Sequence, residues 1–117
     1  MTAKTTVEGY FAALERKQDW PAYLSDEIVF TSFTSPNKTV RGKAAYLEST
    51  KRFYGMLKRF ELRSLIAEKD KVCALTRYEL QPPTGAAFRS DVAEVFGVRD
   101  GKIESFDIYF DSSPFPK

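Results

Sequence analysis

FRSDVAEVFGVRDGKIESFDIYF, residues 88–110, is the stretch on which the fold turns. Asp100–Gly101 divides it, and an Asp-Gly pair is a strong hairpin signal because both residues accept the positive φ of a tight turn. The flanking runs, Phe88 to Val98 and Lys102 to Phe110, alternate in the period of strands. Upstream, residues 57–68 and 71–80 read as two more long strands, reversed at Lys69–Asp70. PPTG, from Pro82 to Gly85, reads as a loop. A further strand is expected over 27–33, where Ile28, Phe30 and Ser32 alternate with Val29, Thr31 and Phe33. The SPNK segment after it has turn chemistry.

The N-terminal part follows a different period. Val7, Tyr10, Phe11 and Leu14 fall at i, i+3, i+4 and i+7, after a Thr5-x-x-Glu8 capping box, which predicts an amphipathic helix over about 5–17. This spacing puts Tyr10 on the buried stripe. A second, short helix is expected from Asp19, with Pro21 in its first turn, and a third from Lys43 to about Phe53, with Gly55 as its stop. Helices followed by a meander of strands give an α+β class. No repeat, linker or low-complexity segment divides the chain, so residues 1–117 are expected to form a single domain.

Composition narrows the chemistry. Ten Phe, six Tyr and one Trp are enough to line a cavity as well as fill a core. Net charge is only +2 with no basic run, which argues against nucleic acid as a partner. KRFELR (58–63) reads as a strand with one wet face. The chain has no histidine, so any acid–base chemistry must use Asp, Glu, Tyr, Lys or Arg. Cys73, the lone cysteine, reads as a buried structural thiol and leaves no intrachain disulfide. This usage fits a cytoplasmic location, and the absence of a long apolar run predicts neither a signal peptide nor a membrane span.

The face chemistry of the strands singles out several polar residues. Cys73, Leu75, Arg77 and Glu79 share one face of the 71–80 strand, where an Arg and a Glu continue an apolar run. Glu94 shares its face with Val92, Phe96 and Val98; burial there would raise its pKa and could keep it protonated, whereas an ion pair with Arg77 would keep it charged. Phe30, Phe60, Phe96, Phe106 and Phe110 are candidates to line a cavity or to fill the core.

VEGYFAAL (7–14), the DW step at 19–20, DEIVF (26–30), RGK (41–43) and the ending VRDGKI…YFD together resemble the nuclear transport factor 2-like superfamily, in its SnoaL-like branch, over roughly residues 5–111. The resemblance implies a cystatin-like cone, with three N-terminal helices against a strongly curved, mostly antiparallel sheet. It also implies a homodimer through the open sheet face carrying Arg59, Glu61 and Arg63. Residues 77–111 are similar to a run of the limonene epoxide hydrolases, whose Arg and Asp pair falls at Arg77 and Glu79. Their second Asp falls at Ile108, and their water-positioning Tyr and Asn fall at Phe30 and Ser32. The chain is also similar to ketosteroid isomerase, whose oxyanion-binding Tyr matches Tyr10 and whose buried Asp matches Glu94. The isomerase base falls at Ser32, with Glu79 as the substitute. The expectation is therefore a small-molecule pocket protein of the SnoaL-like type. In it Glu79, oriented by Arg77, serves as base and Tyr10 and Glu94 as hydrogen-bond donors to a small apolar carbonyl or hydroxyl compound. No cofactor or metal is implied. The alternative is a non-catalytic ligand-binding or dimerisation module of the same fold.

Overall fold

The computed structural model describes residues 2–34 and 37–115. Helix α1 spans Ala3–Arg16 and buries Val7, Tyr10, Phe11 and Leu14, the stripe its spacing predicts. Its cap lies three residues earlier than the Thr5 box: Thr2 accepts from the Thr5 N–H, and the Thr5 hydroxyl donates back to the Thr2 carbonyl at 2.8 Å. The expected second helix is a 3-10 turn, Trp20–Tyr23, so among the described residues two α-helices stand where three were expected. It lies so close to α1 that a Cβ on Gly9 would meet the Tyr23 ring at 2.6 Å. Helix α2 spans Lys43–Met56 and runs through Gly55 before it ends.

Among the described residues six strands form one sheet: β1 (Leu24–Ser32), β2 (Lys38–Arg41), β3 (Leu57–Glu68), β4 (Lys71–Leu80), β5 (Phe88–Arg99) and β6 (Lys102–Phe110). Their order is β2-β1-β6-β5-β4-β3. Every pairing is antiparallel except β1 with β6. The β5–β6 turn has positive φ at both Asp100 and Gly101, as a tight two-residue hairpin needs. Register shifts at Gly97/Val98, Leu62/Ser64 and between Leu24 and Val29 bend the strands, and the bent sheet wraps round the helices. At Gly97 the space of a Cβ is filled by the Ser105 hydroxyl, 2.2 Å from where that atom would sit.

The core lies between the inner face of the sheet and the two helices, and is strongly aromatic. Tyr10 and Phe11 of α1 meet Phe96 with ring centroids 5.8 and 5.9 Å apart, and Phe96 meets Phe106 at 4.4 Å. At the rim, Thr34 clamps the end of β6: its hydroxyl donates to the Phe110 carbonyl at 2.8 Å and accepts from the Phe110 N–H at 3.0 Å. Replacing Thr34 by Val keeps the side-chain shape and removes both bonds. A loss of about 1 kcal/mol is expected in chemical unfolding, with increased amide exchange at Phe110.

Candidate functional site

A cavity of about 150 Å³ opens between α2 and the inner face of the sheet. One wall is α2, through Tyr46, Ser49, Thr50, Phe53 and Tyr54. The facing wall is sheet: Tyr78 from β4, then Ser90, Val92 and Glu94 from alternate positions of β5. Phe30, Phe106, Ile108 and Phe110 complete it, with Phe115 from the tail. Asp111 turns the tail by accepting from both the N–H and the hydroxyl of Ser113. Phe115 is thereby folded onto Phe88 and Phe110, with centroids 5.0 and 5.3 Å away.

Glu94 is the chemical centre of this wall. It is only 1% exposed. One carboxyl oxygen accepts a short hydrogen bond from the Tyr78 hydroxyl, and the other has no hydrogen-bond partner among the described residues. Burial pushes its pKa from 4.5 up to about 8, against the opposing pull of the Tyr78 and Thr76 hydroxyls. The Thr76 hydroxyl lies nearby without closing a hydrogen bond. At neutral pH the carboxyl is therefore mostly protonated and able to donate.

Three tyrosines meet beside it. The Tyr54 hydroxyl lies 2.8 Å from that of Tyr10 and 2.5 Å from that of Tyr46. Trp20 stacks on the Tyr54 ring at 4.1 Å and fixes its place. Burial raises the pKa of all three, and that of Tyr78, well above 10, so each keeps its proton. Three hydroxyls joined by two hydrogen bonds leave one O–H unspent within the trio.

The sequence-predicted residues divide between two faces. Glu94, Phe30, Ile108 and Phe110 line the cavity, while Tyr10 reaches it only through Tyr54. Phe96 and Phe60 lie in the aromatic core behind the cavity wall, against Phe11 and other rings, and Ser32 is not part of the lining. Arg77 and Glu79 are on the opposite face of the sheet from Glu94, contrary to their expected convergence with it. β4 buries Val72, Ala74, Thr76, Tyr78 and Leu80, and turns Arg77 and Glu79 outward with Cys73 and Leu75. There Arg77 donates to both oxygens of Asp91, at 2.8 and 3.3 Å, and holds that carboxyl below its usual range. Glu79 pairs with Arg59 at 3.1 Å. Cys73 is likewise half-buried on this outer face instead of sealed in the core.

Sequence reasoning missed Tyr46, Tyr54, Tyr78 and Ser90. Tyr78 and Ser90 were within reach: Glu94 pairs with Ala74 across β4 and β5, so an inward Glu94 makes Thr76 and Tyr78 inward too. Tyr46 and Tyr54 lie on a helix whose apolar stripe is weak, and only tertiary contacts mark them. Among the described residues no cluster of three or more His, Cys, Asp or Glu is arranged to hold a metal ion. No helix among them is long and apolar enough to cross a membrane.

A strongly bent, mostly antiparallel sheet closed round a helix-walled cavity is the cone of the nuclear transport factor 2-like fold. The SnoaL-like domain family matches residues 7–106, and the chain belongs to that family. Among solved structures it is similar to a nuclear transport factor 2-like protein from Burkholderia thailandensis, with 26% identity over 97% of this chain and 94% of that one, at a TM-score of 0.81. It is also similar in fold to an epoxide hydrolase of the limonene epoxide hydrolase-like kind from Mycobacterium tuberculosis. That likeness has 23% identity over 96% of this chain and 84% of that one, at a TM-score of 0.78. Comparison with curated protein sequences gives no match.

Because its pKa is raised on folding, Glu94 binds a proton in the folded chain that the unfolded chain releases above about pH 4.5. The stability linked to that proton is fully present below pH 4.5 and is lost as pH rises to about 8, at roughly 1.4 kcal/mol per unit within the window. No histidine titrates there. Chemical unfolding between these pH values should show wild-type stability falling steadily, with the slope flattened in Glu94→Gln.

Proposed function

We propose that the cavity takes a small, largely apolar molecule bearing a carbonyl or hydroxyl group, and that Glu94 exchanges a proton or hydrogen bond with that group. One observation carries this reading: a buried carboxyl with one oxygen held by Tyr78 and the other unpartnered on the wall of an aromatic cavity. Neutral Glu94 is a donor suited to a developing oxyanion, and the unspent tyrosine O–H is a second. Isomerisation, cyclisation, dehydration and hydrolysis all draw on such donors. The similarity to an epoxide hydrolase agrees with this class but rests on fold.

A second reading is binding without turnover. Its support is that, among the described residues, Glu94 is the only carboxyl lining the cavity, so a reaction that needs two acids lacks its partner there.

The two readings share a binding test and part at turnover. Calorimetry with para-ethylbenzaldehyde, whose carbonyl accepts but cannot donate, should give affinity that falls as pH rises from about 6 to about 9, as Glu94 loses the proton it donates. Glu94→Gln keeps a donor but does not titrate, so its affinity should be flat over that range. Equal slopes in both proteins would sink the Glu94 assignment. For any substrate that is turned over, the same variant should lose kcat with KM kept, because an amide cannot release the proton.

We also propose a homodimer through the outer face of the sheet. Ile66, Leu75 and Tyr109 are 59%, 41% and 49% exposed there. Beside them the cross-strand row Arg59–Glu79–Arg89 lies next to the row Glu61–Arg77–Asp91. The rows carry opposite charge sequences, so two copies facing each other can match row to row. Light scattering should give a dimer mass at micromolar concentration, and Leu75→Glu should shift it towards monomer. A monomeric wild type would refute the assembly.

A further inference from the structure

Glu94 is not the sole unsatisfied group on the cavity wall. Ser90 lies on the same face of β5, is 1% exposed, lines the cavity, and has no partner for its hydroxyl. Its cross-strand neighbour is Tyr78, whose own hydroxyl is already given to Glu94. The two α2 hydroxyls on the facing wall, Ser49 and Thr50, are spent on the Tyr46 carbonyl at 3.0 and 2.7 Å. Among the described residues no group bonds the Ser90 hydroxyl, and a buried hydroxyl without a partner costs free energy that a bound group can recover.

The spacing of the two groups is set by the strand. Four residues of β5 separate their Cα atoms by about 13 Å. Between them Val92 contributes an apolar stretch to the same lining as Phe53 of α2. The wall is thus polar at both ends and greasy in the middle. Glu94 stands at one end, next to the Phe96–Phe106 core. Ser90 stands at the other, where β5 begins beside Phe88 and the tail ring Phe115.

We infer that Ser90 is a second anchor in the cavity, and that the ligand is an elongated, two-ended molecule with a hydroxyl or carbonyl at each end of an apolar body. The inference rests on the proposed small-molecule function and sharpens its substrate class. Ser90 makes no contact with the group that Glu94 serves. It fixes which molecules fit and how they lie, and keeps one end of the ligand directed at the carboxyl.

A matched pair of probes tests this. Para-ethylphenol has one polar end; the same phenol with a terminal hydroxyl on its ethyl group has two. Both would be measured by calorimetry against wild type, Ser90→Ala and Glu94→Gln at a pH where Glu94 is neutral. Wild type should bind the two-ended probe tighter by about three- to tenfold, the yield of one added hydrogen bond. In Ser90→Ala that ratio should collapse to about one, while Glu94→Gln keeps it. A wild-type ratio of one, as when water already satisfies Ser90, overturns the second anchor and leaves the pocket function standing. So does a ratio that survives in Ser90→Ala. If neither probe binds wild type, the pocket function falls and the second anchor with it.

Discussion

A carboxyl group shut into an aromatic cavity is the most demanding feature of this molecule, because ionising Glu94 there costs several kcal/mol of lost hydration. The surroundings are consistent with a site that stays neutral instead. Tyr78, on the neighbouring strand, donates to one oxygen, and among the described residues no cation lines the cavity to draw the proton away. The tyrosine trio beside it is protonated for the same reason. The inner face of the sheet therefore presents polar groups without charge. Charge is confined to the outer face, where the half-buried Glu79 pairs with Arg59 and the more exposed Arg77 pairs with Asp91, and a solvent-exposed pair of the second kind adds little stability. One sheet keeps the two regimes apart by nothing more than the alternation of its side chains.

That alternation also governs what could be read in advance. The strands after residue 57 were legible to within a residue at almost every boundary, because Asp100–Gly101 and Lys69–Asp70 fix the reversals and long runs of β-formers fill the intervals. The α1 stripe was legible for an equally local reason. β2 was not: it has four residues, follows a turn-forming segment, and exists because β1 offers it an edge. The cap of α1 moved to Thr2 because Thr2 and Thr5 satisfy one another, which a search for Glu at the fourth position overlooks.

Within the site, Glu94 was legible because every other residue on its face is apolar. Arg77 and Glu79 were misassigned because β4 offers two plausible faces, and Cys73 and Leu75 make the outer one look like core. The true inner face mixes Val72 and Ala74 with Thr76 and Tyr78, whose polarity suits a cavity wall better than a solid core. The tyrosine trio could not be read at all, since Tyr10 and Tyr54 are 44 residues apart and meet only once the cone has closed.

The parallel contact between β1 and β6 carries one more consequence, for the order in which the molecule can form. β1 is separated from its partner by nearly the whole sheet in sequence, whereas β3 to β6 follow one another as a meander. Phe30 on β1 reaches Phe106 on β6 across that seam. The meander can zip locally, but the seam must wait for a long loop to close, which is the slow step in chains dominated by distant pairings. By that argument the cavity wall that joins Phe30 to Phe106 closes after the meander has formed. Until Phe30 meets Phe106, the cavity that Glu94 lines lacks one of its walls.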